Sequence, residues 1–161
     1  SILPPAGRFN VFHSKGVSYI IDFAHTPDGL FNLLKEGRSL TLGRVIVVFG
    51  CGGDRDVSKR PLMGKIASEM ADIAVITSDN PRTENRKAIA TDIVGGMTGK
   101  AKLYVELDRA KAITLAKEIA VEGDVVLIAG KGSENYIDEN NSKKPYSDMA
   151  QLMKVTEIAI G

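Results

Sequence analysis

Four short stretches of this sequence carry residue types that could bind or position a small charged ligand. They are "DFAHTPD" (Asp22 to Asp28), "FGCGGDRD" (Phe49 to Asp56), "SDNPR" (Ser78 to Arg82) and "AGKGSE" (Ala129 to Glu134). In the third, an acid, an amide, a rigid ring and a guanidinium follow one another: Asp79, Asn80, Pro81 and Arg82. Asp, Asn and Pro also make ordinary turns, with the arginine left in water. The sharper reading is that the four residues hold a ligand at the end of a strand.

The other stretches are weaker alone. "GCGGDRD" has glycines that allow close backbone approach, but the sequence contains neither G-x-x-x-x-G-K-[ST] nor G-x-G-x-x-G. Arg55, between Asp54 and Asp56, is either a substrate clamp or the centre of a local ion pair. Cys51 reads as a small buried residue rather than a nucleophile, because nothing in the spacing fixes a base beside it. His25 either belongs to a helix cap or faces a ligand, and Glu134 taken alone is a solvated loop charge. His13 and Lys15 read as turn residues. No His/Cys cluster has metal-ligand spacing, and no Ser-His-Asp arrangement is suggested.

What positions these stretches is an alternation of strand and helix. "GVSYIIDFA", "RVIVVFG", "DIAVITS", "KLYVEL" and "DVVLIAG" read as strands. The second is a continuous β-branched run, as in a strand buried on both faces. Between them run amphipathic segments. One is capped by Thr26 with Pro27 at its first position, one opens at Pro61, one ends near Gly95 and Gly96, and one is capped by Asp108. Ser147 is expected to cap a last helix, after a long polar loop, "GKGSENYIDENNSKKPY", that is either functional or mobile. Parallel strands need such crossovers, so the expected fold is a doubly wound α/β sheet with helices on both faces. Ligands bind such sheets at the carboxyl ends of the strands, and all four stretches then converge on one edge.

Composition narrows the class. The 161 residues suit one domain, spanning 1–161, and 43% hydrophobic content suits a soluble one. A net charge of +1 and few aromatics argue against nucleic acid and against an anionic membrane surface. One cysteine cannot form an internal disulfide, and no apolar tract reaches membrane-spanning length, so a monomer in the cytoplasm is expected. The sequence begins at Ser1 rather than Met, which suggests a piece of a longer protein.

Taken together, "AGRF", "DFAHTPDGL", "FGCGGDRDVSKRPLMG", "ITSDNPRTE" and "AGKGSENY" followed by "PYSD" resemble the Mur ligases. More closely, they resemble the carboxyl-terminal domain of the UDP-N-acetylmuramyl-tripeptide synthetase type. The signatures occur in the family's order and span nearly the whole chain. One departure is visible: Ser133 stands where the family usually has His.

The resemblance implies a Rossmann-like domain of an enzyme that uses ATP and magnesium to activate the carboxylate of UDP-MurNAc-L-Ala-D-Glu. The amine of an incoming amino acid then forms the amide. The UDP-binding and ATPase domains of that family are absent from this sequence, so the isolated chain is expected to be inactive. By resemblance, "DNPR" recognises meso-diaminopimelate. Arg82 clamps its distal carboxylate, Asn80 adds a hydrogen bond, Pro81 stiffens the loop and Asp79 orients it. Glu134 and the carbonyl of Gly130 accept from the ammonium, and Arg55 meets a carboxylate. Arg8, Asp22 and His25 are expected to face the nucleotide. The alternatives are a relative that adds L-lysine, which Arg82 disfavours, and a stand-alone nucleotide- or amino-acid-binding module.

Overall fold

The computed structural model describes residues 10–157. It contains a six-stranded sheet in the order β1-β2-β6-β3-β4-β5. The strands are β1 (Asn10–Ser14), β2 (Val17–Asp22), β3 (Val45–Phe49), β4 (Ile73–Ile76), β5 (Lys102–Val105) and β6 (Val125–Ala129). All neighbours in this sheet pair in parallel except β1, which pairs antiparallel with β2. The expected doubly wound α/β sheet is therefore present.

The helices are α1 (Pro27–Ser39), α2 (Lys59–Met70), α3 (Arg86–Val94), α4 (Arg109–Ile119) and α5 (Asp148–Thr156). The central strands β3, β4 and β6 are buried on both sides because their side chains alternate between two cores, whereas the edge strands β1 and β5 are partly exposed. Val45, Val47 and Phe49 pack with Leu30, Leu34, Met63 and Ile93 of α1 to α3. Ile46 and Val48 pack with Ala112, Ile113, Ala116 and Leu152 of α4 and α5. Burying each Val, Leu, Ile, Met or Phe side chain among these contributes about 1.5–3 kcal/mol. The split follows from handedness. Crossovers from β2 through β5 run one way along the sheet and put three helices on one face. The return from β5 to β6 puts α4 on the other.

Local sequence sets the helix ends. Thr26 Oγ1 accepts from the Gly29 N–H at 3.1 Å, with Pro27 opening α1. Asn85, Asp108 and Ser147 cap α3, α4 and α5 in the same way. Helix α2 begins at Lys59, two residues before Pro61. Ser58 already has helical angles (φ −66°, ψ −25°) and makes no side-chain cap; Asp56 turns the chain into this helix instead, its carboxylate accepting from the Ser58 N–H at 2.9 Å and hydroxyl at 2.6 Å.

Two expectations need correction. His13 is a strand residue, not a turn residue: it lies in β1, opposite Ser18. Lys15, with φ 50°, does turn the hairpin between β1 and β2. The long polar loop is also ordered into a second antiparallel hairpin, β7 (Tyr136–Glu139) with β8 (Ser142–Pro145). Its turn is made by Asn140 and Asn141, both at positive φ.

Candidate functional site: four strand ends on one edge

The four candidate stretches follow β2, β6, β3 and β4, which are four adjacent strands running in one direction. They do converge on one edge of the sheet.

The glycine-rich stretch after β3 packs against "SDNPR". The Gly53 N–H donates to the Asn80 carbonyl at 2.8 Å, and a Cβ on Gly53 would stand 1.9 Å from the Pro81 oxygen. Any side chain there would separate the two loops. Asp54 extends the seam: its carboxylate accepts from the Thr83 N–H at 3.1 Å and hydroxyl at 2.8 Å. Beneath it, the buried Arg60 pairs with Glu84 at 2.7 Å and Asp92 at 3.0 Å. The Arg60 guanidinium and the Asp54 N–H hold the Glu84 carboxyl below the usual range. This loop therefore serves loop–loop contact, which is what its glycines permit.

Within "SDNPR", Asp79, Asn80 and Pro81 are buried, and Arg82 keeps 23% of its side-chain surface exposed. Arg82 sits at φ 51°, a conformation that costs a non-glycine residue about 1–3 kcal/mol. The second hairpin over-determines it. The Arg82 N–H donates to the Asp138 carbonyl and the Arg82 carbonyl accepts from the Asn140 N–H, both at 2.8 Å. Arg86 fixes the hairpin in turn through a forked pair with Glu139, at 2.6 and 2.8 Å. The guanidinium of Arg82 donates Nη1 to the Gly53 carbonyl at 2.9 Å, with Asp138 3.8 Å from Nε. That leaves donor positions on the fork, near the stem of Arg55: a Cβ on Gly52 would lie 2.8 Å from Arg82 Nη1 and 3.9 Å from Arg55 Cγ. Arg55 itself is exposed and donates to the Asp54 carbonyl.

From β6 come Gly130 and Glu134. Gly130 is at φ 114°, and a Cβ there would meet the Asp79 carboxylate at 2.5 Å, so this position requires glycine twice over. Glu134 accepts from Asn80 Nδ2 at 3.3 Å. Ser133 is exposed. Asp79, Asn80, Arg82, Gly130 and Glu134 are thus brought together.

Asp22 and His25 stand at the end of β2, the strand beside β6. The Asp22 carboxylate accepts from the Ala24 N–H at 2.9 Å, and the exposed His25 ring is hydrogen-bonded through Nδ1 to the Phe23 carbonyl. Arg8 lies outside the described residues.

Sequence reading missed three charged residues here. Lys131 is fully buried, with Nζ 2.8 Å from Asn80 Oδ1 and 2.9 Å from the Tyr136 carbonyl. Arg109, also buried, pairs with the buried Asp148 and donates to the carbonyls of Ser78 and Ala129. Burial alone would lower the Arg109 pKa, but Asp148 beside it raises it instead. Asp138 approaches Arg82 from the hairpin. The only available signal was position: Lys131 directly follows a strand, inside a stretch already singled out.

Cys51 is buried beside Met63. Burial pushes its thiol up to about 12 from an ordinary value of 9.0, so it stays protonated. The stability held in that protonated thiol is fully present below about pH 9 and is lost as pH rises toward 12. A chromogenic disulfide reagent at pH 8.5 should label the native chain far more slowly than the urea-unfolded chain. Equal rates would show an accessible, reactive thiolate.

A mostly parallel sheet with helices on both faces and charged side chains gathered on its carboxyl edge defines an α/β domain of the doubly wound class. The sequence profile described as "Mur ligase, glutamate ligase domain" matches residues 7–132. The chain belongs to this family.

A relative from Aquifex aeolicus, named UDP-N-acetylmuramoyl-L-alanyl-D-glutamate--2,6-diaminopimelate ligase, is 50% identical over 148 residues. These are 92% of this chain and 30% of the relative. A solved structure of a ligase of that name superposes with a TM-score of 0.89 at 37% identity, over 97% of this chain and 32% of the other. A bifunctional folylpolyglutamate synthase/dihydrofolate synthase, solved with Mn, AMPPNP and L-glutamate bound, gives a TM-score of 0.59 at 25% identity. That match covers 80% of this chain and 29% of the other. The chain spans about a third of the length of these proteins.

Proposed function

We propose that this chain is the amino-acid-receiving domain of a ligase that adds meso-diaminopimelate to UDP-MurNAc-L-Ala-D-Glu at the expense of ATP. The observation that carries the reading is Arg82. Its guanidinium is held partly exposed at a strand's carboxyl end, on the same loop as Asn80, which bonds the carboxylate of Glu134. A guanidinium on the loop that carries Asn80, and a carboxylate bonded to that amide, supply a cation and an anion for the distal carbon of meso-diaminopimelate, which carries both a carboxylate and an ammonium. L-Lysine offers the ammonium alone.

In this reading Arg82 takes the distal carboxylate with its remaining donors, and Asn80 contributes an amide hydrogen. Glu134 and the Gly130 carbonyl accept from the ammonium, Asp79 orients the loop and Pro81 restrains it. Arg55 meets a further carboxylate. Binding in this way fixes the amino acid while the chemistry occurs at its other end. The carboxylate of the D-Glu residue attacks the γ-phosphate of ATP, giving an acyl phosphate and ADP. The free amine of the amino acid adds to the acyl carbon to form a tetrahedral intermediate. Collapse expels inorganic phosphate and leaves the amide, with the amine's proton released. Arg8, Asp22 and His25 face the nucleotide.

Among the described residues no group of three or more His, Cys, Asp or Glu could hold a metal ion, and in this reading ATP and its magnesium would be held mainly by the ATPase domain of the full-length ligase. No helix among them is long and apolar enough to cross a membrane. A monomeric enzyme acting in the cytoplasm is the setting we propose.

The test uses purified proteins with ATP, magnesium, UDP-MurNAc-L-Ala-D-Glu and meso-diaminopimelate. The full-length ligase carrying this domain should release ADP and yield the tripeptide nucleotide. The 161-residue chain alone should yield none, because its sequence has no phosphate-cradling G-x-x-x-x-G-K-[ST]. Turnover by the chain alone, or a full-length enzyme that uses L-lysine in preference, would overturn the reading.

A further inference from the structure

We infer that Lys131 is the positioning residue of the amino-acid site: its buried ammonium sets the direction in which the Asn80 amide and the Glu134 carboxylate face. The inference rests on the amino-acid-binding reading above. Lys131 has no solvent-exposed surface, and its Nζ lies 2.8 Å from Asn80 Oδ1, 2.9 Å from the Tyr136 carbonyl and 3.3 Å from Glu134 Oε1. Asp79 Oδ1 stands 3.6 Å away. Three hydrogens meet three acceptors, so the ammonium is satisfied without solvent.

The consequence falls on Asn80. Its Oδ1 also accepts from the Asp138 N–H at 3.0 Å. Both neighbours of that oxygen are donors only. A flipped amide would turn NH₂ toward an ammonium and an N–H, which is repulsive. Nδ2 is therefore directed toward Glu134. Lys131 holds the same carboxylate from the other side, so one cation orders both the donor and the acceptor of the site.

Charge gives a second argument. The linked group contains the cations Lys131 and Arg109 and the carboxylates Asp79, Glu134 and Asp148. Two positive and three negative charges leave one negative charge over, which suits an arriving ammonium. Without Lys131 the cluster would carry two, and Glu134 would repel Asp79. A surface lysine could not do this, because water would screen it.

The test is steady-state kinetics of the full-length ligase. Lys131→Met removes the ammonium and keeps the apolar stem. We expect KM for meso-diaminopimelate to rise roughly 10- to 100-fold, as for a lost charged hydrogen bond, with KM for ATP unchanged within about twofold. Asn80→Ala added on top should cost less than it does in the unaltered enzyme, since only the Asp138 N–H then orients the amide. A damaged fold would instead lower kcat for all substrates together.

An unchanged amino-acid KM, or an equal loss for both substrates, overturns the inference. Arg82→Ala, measured alongside, separates the two layers. If it raises the amino-acid KM and Lys131→Met does not, only the role of Lys131 falls. If neither changes it, the amino-acid reading itself falls. Should Lys131→Met fail to fold, the ¹⁵N signal of the Lys131 ammonium in the unaltered enzyme decides. It should shift on saturation with meso-diaminopimelate and not with ATP, and a signal unmoved by the amino acid contradicts the inference.

Discussion

Asp148→Ala should destabilise the domain by about 3–5 kcal/mol, the usual cost of removing one partner from a buried ion pair. Asp148 and Arg109 have no exposed side-chain surface, and the carboxylate takes Arg109 Nε at 2.8 Å and Nη2 at 2.9 Å. It also accepts the Tyr146 hydroxyl at 2.7 Å. Burial and then the charge of Asp148 push that phenol's pKa upward.

Without the carboxylate, Arg109 would remain as a buried cation whose nearest acid is Asp79, 4.0 Å away. For a chain of this size such a loss lowers Tm by roughly 6–20 °C. Urea unfolding followed by circular dichroism measures it. A loss below about 1 kcal/mol would mean that water reaches Arg109 and that the pair is not the sealed one described. The pair bears on the site as well, because Arg109 also bonds the carbonyls of Ser78 and Ala129. Those residues immediately precede Asp79 and Gly130, so one guanidinium ties together the two chain segments that carry the proposed amino-acid site.

The second large effect is on selectivity. Arg82→Ala in the full-length ligase should lower kcat/KM for meso-diaminopimelate far more than for L-lysine. Truncating one side of a desolvated charge pair costs about 2–5 kcal/mol, which is roughly 30- to several-thousand-fold in kcat/KM. Arg82 is only partly exposed, so most of that range applies. The variant also loses the bond from Nη1 to the Gly53 carbonyl. If that loss merely loosened the loop, both amino acids would suffer alike, and the bland turn reading of "SDNPR" would be right. A fall confined to meso-diaminopimelate identifies the clamp. Arg82→Lys keeps the charge without the fork and should recover only part of the selectivity.

How much of this was legible in advance depends on the kind of signal. The buried parallel strands announced themselves as β-branched runs such as "RVIVVFG", because a strand covered on both faces has no reason to alternate. Thr26, Asp108 and Ser147 were readable as caps, since their side chains act within three residues of their own position. The convergence of four loops followed from the fold class alone.

What escaped was set at long range. "NVFHS" forms β1 only because the edge of β2 is available to pair with it. The hairpin of β7 and β8 is a polar stretch whose eight strand residues include Lys143 and Lys144, and it owes its place to Arg86 and Arg82. Lysine is the residue least expected inside, and no spacing rule says that Lys131 turns inward to meet an amide 51 positions earlier. Likewise no local signal in "GCGGDRD" showed that Gly53 is required by the Pro81 carbonyl.

In the proposed function this strand edge reads the distal carbon of meso-diaminopimelate, with Arg82 on its carboxylate and Glu134 on its ammonium. The most direct measurement is a crystal structure of the full-length ligase with that amino acid bound. Two Arg82 nitrogens should lie within about 3 Å of the distal carboxylate oxygens, a charge-assisted fork. The distal ammonium should lie against Glu134 and the Gly130 carbonyl. An amino acid whose distal carboxylate points into solvent, with Arg82 engaged only by Gly53 and Asp138, would contradict it.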